Sequence, residues 1–444
     1  MEFEEESVTS WFLRARKLRP GSLDAESSLD RLVAEDAEGD PAAPRLASAF
    51  AFILRLGRAL LSQGLPAQRL EESLRRAGEA LGLTVDCFST PTALIVTASD
   101  GEHTRTRVAR VEPGDTDLER LSALHALVRR VERRELSASE GASRIDRILA
   151  RPPRYRGATA VIGAGLASAG SAILLGGSAT DVLPALSLGT LVGLMGRGAS
   201  RVPTLARILP ALAALVASLL AHAIGLAGVP VHESVLVLSA VLVLLPGFTL
   251  TVATLELATG NLVSGTSRLV GGLSTLVQLG FGVALGHRIA QLLPELADAA
   301  PAAAAPEWLM IVAHGVVALA FTVVLRAAPR DVPAILFGAA VTVLGARLGR
   351  AWLGPELGAF LGATAIALVA HAHARLKDRP SLLLLTPGML MLVPGSVGFL
   401  SVSSMLEADV VTALQTGFRM ILIATALAAG VLVASVAIPP RRPL

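Results

Sequence analysis

Polar and ionisable residues follow a proline–glycine pair inside an apolar stretch, residues 242–268. Proline removes one helical hydrogen bond and clashes with the preceding turn, so Pro246 and Gly247 predict a broken helix. Inside a membrane, such a break needs protein or water to receive the freed backbone groups. Ionisable residues beside a break are typical of a transport site. The candidate residues for substrate binding or coupling here are Pro246, Gly247, Thr249, Glu256, Ser264 and Arg268.

A second stretch, residues 382–419, repeats this pattern. An apolar run is again interrupted by a proline–glycine pair, and hydroxyl and acidic side chains follow it. Interrupted segments at corresponding places of two halves indicate a transport site and an internal duplication. Arg419 is predicted to correspond to Arg268. The second set of candidates is Pro394, Gly395, Ser396, Asp409 and Arg419.

Glu256 and the two arginines have the most specific predicted chemistry. A carboxylic acid in a dry site can hold a proton at neutral pH, so Glu256 is predicted to carry the coupling proton. Thr249 shares its predicted helical face and would extend a polar lane from the break. A guanidinium offers a two-pronged donor, so Arg268 and Arg419 are predicted to bind an acid or a substrate carboxylate. The alternatives are an interfacial carboxylate for Glu256 and a membrane-surface anchor for Arg268.

The composition divides the 444 residues into unlike regions. Residues 157–437 form apolar runs of about 20 residues separated by short polar gaps, which predicts about ten transmembrane helices. The Pro/Ala-rich linker 294–306 separates a first half, 157–293, from a second half, 307–437. An odd number of spans in each half would make a duplicated unit an inverted repeat, so a five-plus-five inverted repeat is one expected arrangement.

Basic residues at the ends of the predicted spans indicate the orientation. Cytoplasmic loops carry an excess of Lys and Arg. A chain that starts in the cytoplasm collects few basic residues outside, namely Arg288, Arg347 and Arg350. Both termini are therefore predicted to be cytoplasmic. The basic residues of that side are Arg151, Arg154, Arg156, Arg197, Arg201, Arg207, Arg268, Arg326, Arg330, Arg375, Lys377, Arg379, Arg441 and Arg442.

The region before the spans is predicted to be a disordered tail, residues 1–45, followed by a small α/β domain, residues 46–150. Its acidic start is unlike a signal peptide, so the domain is expected in the cytoplasm. The predicted fold is thus a membrane all-α bundle preceded by a small cytoplasmic α/β domain. A possible role for its first turn is a cytoplasmic gate. The alternative is a simple joint between two helices, with two of its residues paired across one turn. The gate candidates are Gly64, Pro66, Arg69 and Glu72.

Several classes of site find no support in the sequence. The single cysteine, Cys87, excludes an intramolecular disulfide and a cysteine-based zinc site. His371 and His373 are two residues apart and do not share a helix face, so no metal site is predicted. The net charge of +3 is small, and the arginines lie beside spans, which argues against a nucleic-acid partner. No cofactor is predicted.

With these residues in view, the chain resembles the threonine/serine exporter family of bacterial membrane proteins. Three ordered stretches carry the resemblance: Ser62–Glu72 with the later Thr90-Pro91-Thr92, Pro246–Arg268, and Pro394-Gly395-Ser396 with its serine-rich continuation. The resemblance implies a cytoplasmic domain followed by about ten spans in the bacterial plasma (inner) membrane. It also implies export of small hydroxy amino acids driven by the proton gradient.

The predicted function is a secondary active exporter of threonine, serine or a similar small metabolite, and not an enzyme. Its expected partners are the small-molecule substrate, protons and the lipid bilayer, and a homo-oligomer stays open. One alternative is a dicarboxylate (succinate-like) exporter, since similar proteins split into two chains are linked to dicarboxylate export. Another is a membrane-anchored hydrolase with its site in residues 46–150, although no nucleophile motif stands there.

Overall fold

The computed structural model describes residues 43–292, 305–392, 394–406 and 409–439. Nearly all of the predicted tail, residues 1–45, and of the Pro/Ala-rich linker, residues 294–306, lies outside the described residues. The described chain consists of an N-terminal domain, residues 43–150, and a larger helical part.

The N-terminal domain combines four helices with one sheet, as predicted. Helix α1 ends before Gly64, whose positive φ of 78° is a backbone conformation that glycine adopts at little cost. Pro66 then stands at the N-cap of α2, where its missing N–H is harmless. In chain order the elements are α1 Ala43–Ser62, α2 Ala67–Ala80, β1 Thr84–Thr90, β2 Ala93–Ser99, β3 Thr104–Arg110, α3 Leu118–Glu132 and α4 Ala138–Ala150.

The sheet is antiparallel, in the order β1-β2-β3. Val85 and Val96 are buried on one face and alternate with exposed residues, as the period of a strand requires. They pack with Leu70 and Leu74 of α2, and both helix residues are fully enclosed. The domain therefore has a core of its own between its helices and one face of the sheet.

Eight helices of the larger part are long and apolar enough to cross a membrane, or up to nine if one bent pair counts as a span. The expected number of about ten is therefore not reached among the described residues. The reason is Ala158–Leu174, whose 17 residues span about 26 Å, less than the roughly 30 Å of a bilayer core. The helices are α5 Ala158–Leu174, α6 Val182–Ala199, α7 Pro203–Leu226, α8 Glu233–Ala240, α9 Gly247–Ala258, α10 Leu262–Ala290, α11 Glu307–Val324, α12 Val332–Leu353, α13 Pro355–Lys377, α14 Leu382–Leu390, α15 Pro394–Leu406 and α16 Val410–Ala437.

Both predicted proline–glycine pairs stand where one helix ends and another begins. Helix α8 gives way to a short 3-10 turn, Leu242–Leu244, and α9 starts at Gly247 with an overall bend of 48°. In the second half α14 ends at Leu390 and α15 starts at Pro394. The interrupted helices predicted from the prolines are therefore confirmed.

The order of helices in 158–290 recurs in 307–437. Each set consists, in chain order, of one helix, a turn that ends in a 3-10 segment, two long helices, a broken helix and a last long helix. The first helices, α5 and α11, pack with their chains running in opposite directions. A Cβ added at Gly163 would lie 2.7 Å from Val323, whereas one at Gly170 would lie 2.6 Å from Val317.

The N-terminal domain is docked on the membrane part by the ends of helices. The N–H groups of Leu118 and Glu119, at the start of α3, donate to the carbonyls of Leu325 and Arg326, at the end of α11 (2.9 and 3.3 Å). The first N–H groups and the last carbonyls of helices lack partners in their own helix, so the two ends satisfy each other. We call the membrane face that carries the domain the domain face, and the opposite one the far face.

Candidate functional site

Glu256 lies where the N-terminal domain meets the membrane part. Its side chain is buried, and one carboxylate oxygen accepts the backbone N–H of Ala67 over 2.8 Å. The other accepts the hydroxyl of Ser264 over 2.9 Å. Because Ala67 is the first residue of α2, the carboxylate caps the positive end of that helix. A membrane helix thus supplies the cap for a helix of the domain.

Arg268 completes this contact. Its Nε lies 3.1 Å from a Glu256 oxygen, and its Nη2 donates to the carbonyl of Leu65 over 2.9 Å. The predicted pairing of Glu256 with Arg268 is therefore present in the structure. The predicted polar lane from Thr249 to Glu256 stays a prediction, and the carboxylate itself contacts Ala67, Ser264 and Arg268.

The gate candidates of the first turn also reach the membrane part, through Arg69. Its Nη1 donates to the hydroxyl of Ser381 over 2.6 Å, at the start of α14. The alternative pairing of Arg69 with Glu72 is wrong, since Glu72 pairs with Arg76 one turn further on. Burial lowers the pKa of Arg69 to about 10, against the opposing effect of Glu72, so the guanidinium stays charged at neutral pH.

The two predicted breaks meet inside the membrane part. A Cβ added at Gly395 would stand 3.1 Å from both the Cα and the N of Gly247. Both glycines are buried. Only residues without side chains allow two backbones this close, which is a physical reason for glycine at both places. Pro246 is the N-cap of α9, and Pro394 is the first residue of α15.

A cavity of about 420 Å³ lies next to this meeting point, on the side of the far face. Leu242 and Leu390, at the ends of the interrupted helices, and Ser396, after the second break, line its inner part. Most of the remaining lining is apolar, and arginines and one histidine add polar groups to it. The cavity is therefore an apolar recess with a few polar groups, next to the breaks. Its polar lining residues are Ser171, His314, Arg347, Arg350, Ser396 and Arg419.

Arg419 lines the cavity and pairs with an acid beside it. Its Nε lies 3.0 Å from an oxygen of Glu356, which belongs to the first turn of α13, and both side chains are partly exposed. Exposed ion pairs contribute little to stability, so this one can open at low cost. Arg419 and its expected counterpart Arg268 differ by about one helical turn when counted from the starts of their helices. Arg268 is the seventh residue of α10, whereas Arg419 is the tenth of α16.

Two further candidates lie outside this arrangement. Asp409 is exposed and caps α16, where its side chain accepts the N–H of Thr412 over 3.1 Å. These hydrogen bonds lower the pKa of Asp409, so it is a stable cap. Thr249 lies on α9 near the break and does not line the cavity. Among the described residues, no group of three or more His, Cys, Asp or Glu side chains is placed to hold a metal ion.

Three charged or titratable residues of the cavity were not among the predicted site residues: His314, Arg347 and Arg350. Glu356, the partner of Arg419, was not predicted either. The two arginines were predicted only as basic residues on the outer side of the membrane. Arg347, however, lies 15 residues after the start of α12, and that depth was the available signal.

The broken helices, the intramembrane arginines and the apolar spans define a multi-pass membrane protein of the transporter class. The chain matches the threonine/serine exporter family, ThrE, over residues 51–290 and the model named "Threonine/Serine exporter, ThrE" over residues 310–437. The chain therefore belongs to the threonine/serine exporter family, as its motifs predicted.

Fungal proteins are among the relatives that the chain matches. An uncharacterized protein of Schizosaccharomyces pombe is 25% identical over 425 residues, which are 88% of this chain and 51% of that protein. Pheromone-regulated membrane protein 10 of Yarrowia lipolytica is 26% identical over 78% of this chain and 30% of its own length. The chain thus spans about half or less of the relatives it matches. No solved structure matches it.

Proposed function

We propose that the chain is a secondary exporter of threonine, serine or a similar small metabolite, coupled to protons and acting by alternating exposure of one site. The observation that carries the proposal is the recess whose lining includes Leu242 and Ser396, next to the place where Gly247 meets Gly395. Free backbone groups at interrupted helices can bind both ends of an amino acid, carbonyls its ammonium and N–H groups its carboxylate. Family membership supplies the transport class.

The contacts at the two faces suggest what opens and closes. On the domain face, Glu256, Arg268 and the start of α2 close the path to the breaks. On the far face the recess is open, with the Arg419–Glu356 pair at its wall. We take the described conformation as open to the far face. The antiparallel packing of α5 and α11 supports an inverted repeat, in which the two halves exchange conformations.

Glu256 gives this exchange a route to proton coupling. As a carboxylate it binds the start of α2 and Arg268 through charge-assisted hydrogen bonds. A proton on Glu256 would remove the charge from both contacts and weaken the closure of the domain face. Proton binding and opening would then be linked.

The arginines of the recess also suit the alternative substrate, a dicarboxylate. Arg347, Arg350 and Arg419 face one recess whose nearby acid is Glu356. An excess of guanidinium groups suits a substrate with two carboxylates. The hydrolase alternative is weaker, because the Ser62 hydroxyl donates to the Ala59 carbonyl over 2.8 Å and His125 is a buried residue without a hydrogen bond in the described chain.

The test is transport in reconstituted vesicles with labelled threonine, serine and succinate, with and without a proton gradient. Gradient-driven flux of threonine or serine that an uncoupler abolishes is the expected result. Glu256→Gln cannot titrate, so it should retain exchange and lose net uphill flux. Uphill transport by Glu256→Gln equal to the parent's would remove Glu256 from coupling. Flux of succinate alone would replace the amino-acid proposal with the dicarboxylate one.

A further inference from the structure

Two buried aspartates occupy matching places in the two membrane halves. Asp181 ends the 3-10 turn between α5 and α6, and Asp331 ends the one between α11 and α12; a valine follows each. Their exposed fractions are 0% and 6%. Because α5 and α11 run in opposite directions, Asp181 lies at the far face and Asp331 at the domain face. Neither carboxylate has a part in the transport steps described above.

Asp181 fastens a broken helix to the turn before α6. One oxygen accepts the backbone N–H of His232 over 2.8 Å, and the other lies 2.8 Å from its Nδ1. The same carboxylate accepts the N–H and the hydroxyl of Ser178, both at 2.8 Å. His232 is the residue directly before α8, the first segment of the interrupted helix. The start of that helix is therefore tied to the turn.

Asp331 lacks the matching contact. Its Oδ2 is buried and accepts no hydrogen bond from the part of the chain that the structure describes. The nearest cations are too far for hydrogen bonds: Arg330 Nε lies 3.9 Å and Arg379 Nη2 lies 4.0 Å from its oxygens. By position the counterpart of His232 is Ser381, directly before α14. The hydroxyl of Ser381 instead accepts a hydrogen bond from Arg69 of the N-terminal domain.

We propose that Asp181 and Asp331 are alternating anchors for the two broken helices. In the conformation open to the domain face, Asp331 accepts the N–H and hydroxyl of Ser381 after Arg69 has left, and Asp181 releases His232. The proposal rests on the alternating exposure of the proposed function. It adds the positioning residues that select which face is open, and it makes Arg69 the element through which the N-terminal domain acts on that choice.

The physical reason for the alternation is that buried polar groups need hydrogen-bond partners. A buried carboxylate oxygen without a donor is unfavourable, and the N–H groups at the start of a helix have no acceptor within it. Asp181 and α8 satisfy each other in this conformation, whereas Asp331 and α14 do not. If the two halves exchange conformations, the same two groups exchange their bonding. The guanidinium groups of Arg330 and Arg379 keep Asp331 ready as an acceptor.

The experiment measures the opening of the far face without any substrate. Ala346, which lines the recess, becomes a single reporter cysteine in a Cys87→Ser background. The rate of its labelling by a water-soluble thiol reagent reports the open far face. Asp181→Asn should lower the rate by about fivefold or more, the effect of one lost hydrogen bond to a charged group. Asp331→Asn should leave the rate unchanged or raise it.

A double variant tests the role of Arg69. Arg69→Gln frees Ser381, so the labelling rate should fall by about fivefold, and adding Asp331→Asn should restore it. Ser381→Ala removes the acceptor for Arg69 and also the hydroxyl that Asp331 would accept, so the two losses oppose each other and the labelling rate should change less than in Arg69→Gln. This variant changes no charge, so it tests the contact if Arg69→Gln prevents folding.

Two results would overturn the proposal. One is a change of labelling in the same direction for Asp181→Asn and Asp331→Asn. The other is an Arg69→Gln effect that Asp331→Asn does not alter. Because labelling needs no transported molecule, a wrong substrate in the proposed function would not change the outcome, and the two failures are distinguishable.

Discussion

Glu256 of a membrane helix accepts the backbone N–H of Ala67, the first residue of a helix in the N-terminal domain, over 2.8 Å. The two residues are 189 positions apart in the sequence. A buried carboxylate at the start of a helix is favourable because it meets both free N–H groups and the positive end of the helix dipole. The domain is therefore fastened to the membrane part by a contact that charge controls.

Glu256→Gln should loosen this contact while keeping the shape of the side chain. A hydrogen bond to a charged acceptor contributes about 1.5–3 kcal/mol to stability, and one to a neutral acceptor contributes about 1 kcal/mol. The start of α2 should therefore open more often in the variant, and amide hydrogen exchange at residues 65–70 should become several-fold faster. Hydrogen exchange with mass analysis measures this. The matched control is Glu233→Gln, which removes a partly exposed acid on the far face, beside His222. Equal exchange rates for both variants and the parent would contradict the capping role.

Gly395→Ala should disturb the meeting point of the two breaks. The added Cβ would stand 3.1 Å from the Gly247 backbone, closer than ordinary contact. Forcing a methyl group into such a site costs about 1–3 kcal/mol, so the unfolding midpoint and the transport rate should both fall. Gly271→Ala is the control, because its Cβ would meet no atom within 4 Å. A fully active, fully stable Gly395→Ala would mean that the breaks are not tightly packed.

Arg419→Gln should impair substrate binding more than folding. Arg419 lines the recess and makes an exposed ion pair with Glu356, so its loss leaves no buried charge unpaired. We expect the apparent affinity for substrate to fall by about tenfold, the effect of one charge-assisted hydrogen bond, at an unchanged unfolding midpoint. Glu356→Gln removes the ion pair and keeps Arg419, so it separates substrate binding by Arg419 from the pairing of Arg419 with Glu356. If it reproduced the loss in full, the ion pair and not the substrate would be what Arg419 serves.

His125 should make the stability of the N-terminal domain depend on pH. Burial lowers the pKa of His125 to about 4, only partly offset by Asp378 at 4.0 Å. Between about pH 6.5 and pH 4 the unfolded chain binds a proton that the folded protein excludes, so stability falls as the pH falls. The full effect is about 3 kcal/mol. His125→Phe should flatten the midpoint–pH curve over this range, whereas the exposed His103→Gln should follow the parent.

The orientation can be tested with single cysteines. Ala227 is exposed in the turn after α7 at the far face, and Ser200 is exposed before α7 at the domain face. In a Cys87→Ser background, Ala227→Cys should react with an impermeant reagent on intact cells, and Ser200→Cys only after permeabilisation. The reverse pattern would place the N-terminal domain outside the cell.

The sequence by itself determined the membrane class, the N-terminal α/β domain and the two breaks. The reasons are local: apolar runs of bilayer length must be helical in lipid, strand alternation marks a sheet, and proline interrupts a helix wherever it stands. It also indicated that Glu256 and Arg268 lie near each other, since they stand on either side of one turn. The family followed from the order of such local motifs.

Only the tertiary structure decided what these residues face. Whether Glu256 points to the break or to α2 depends on the rotation of α9 and on where a distant domain docks. The contact of Gly247 with Gly395 and the recess lined by Arg347 and Arg419 arise from the packing of two halves of the chain. Asp181 and Asp331 each end a 3-10 turn and precede a valine, yet the Asp181 carboxylate accepts hydrogen bonds from the start of α8 and Oδ2 of Asp331 accepts none from the described residues. Their difference is set by long-range contacts, which a local pattern does not encode.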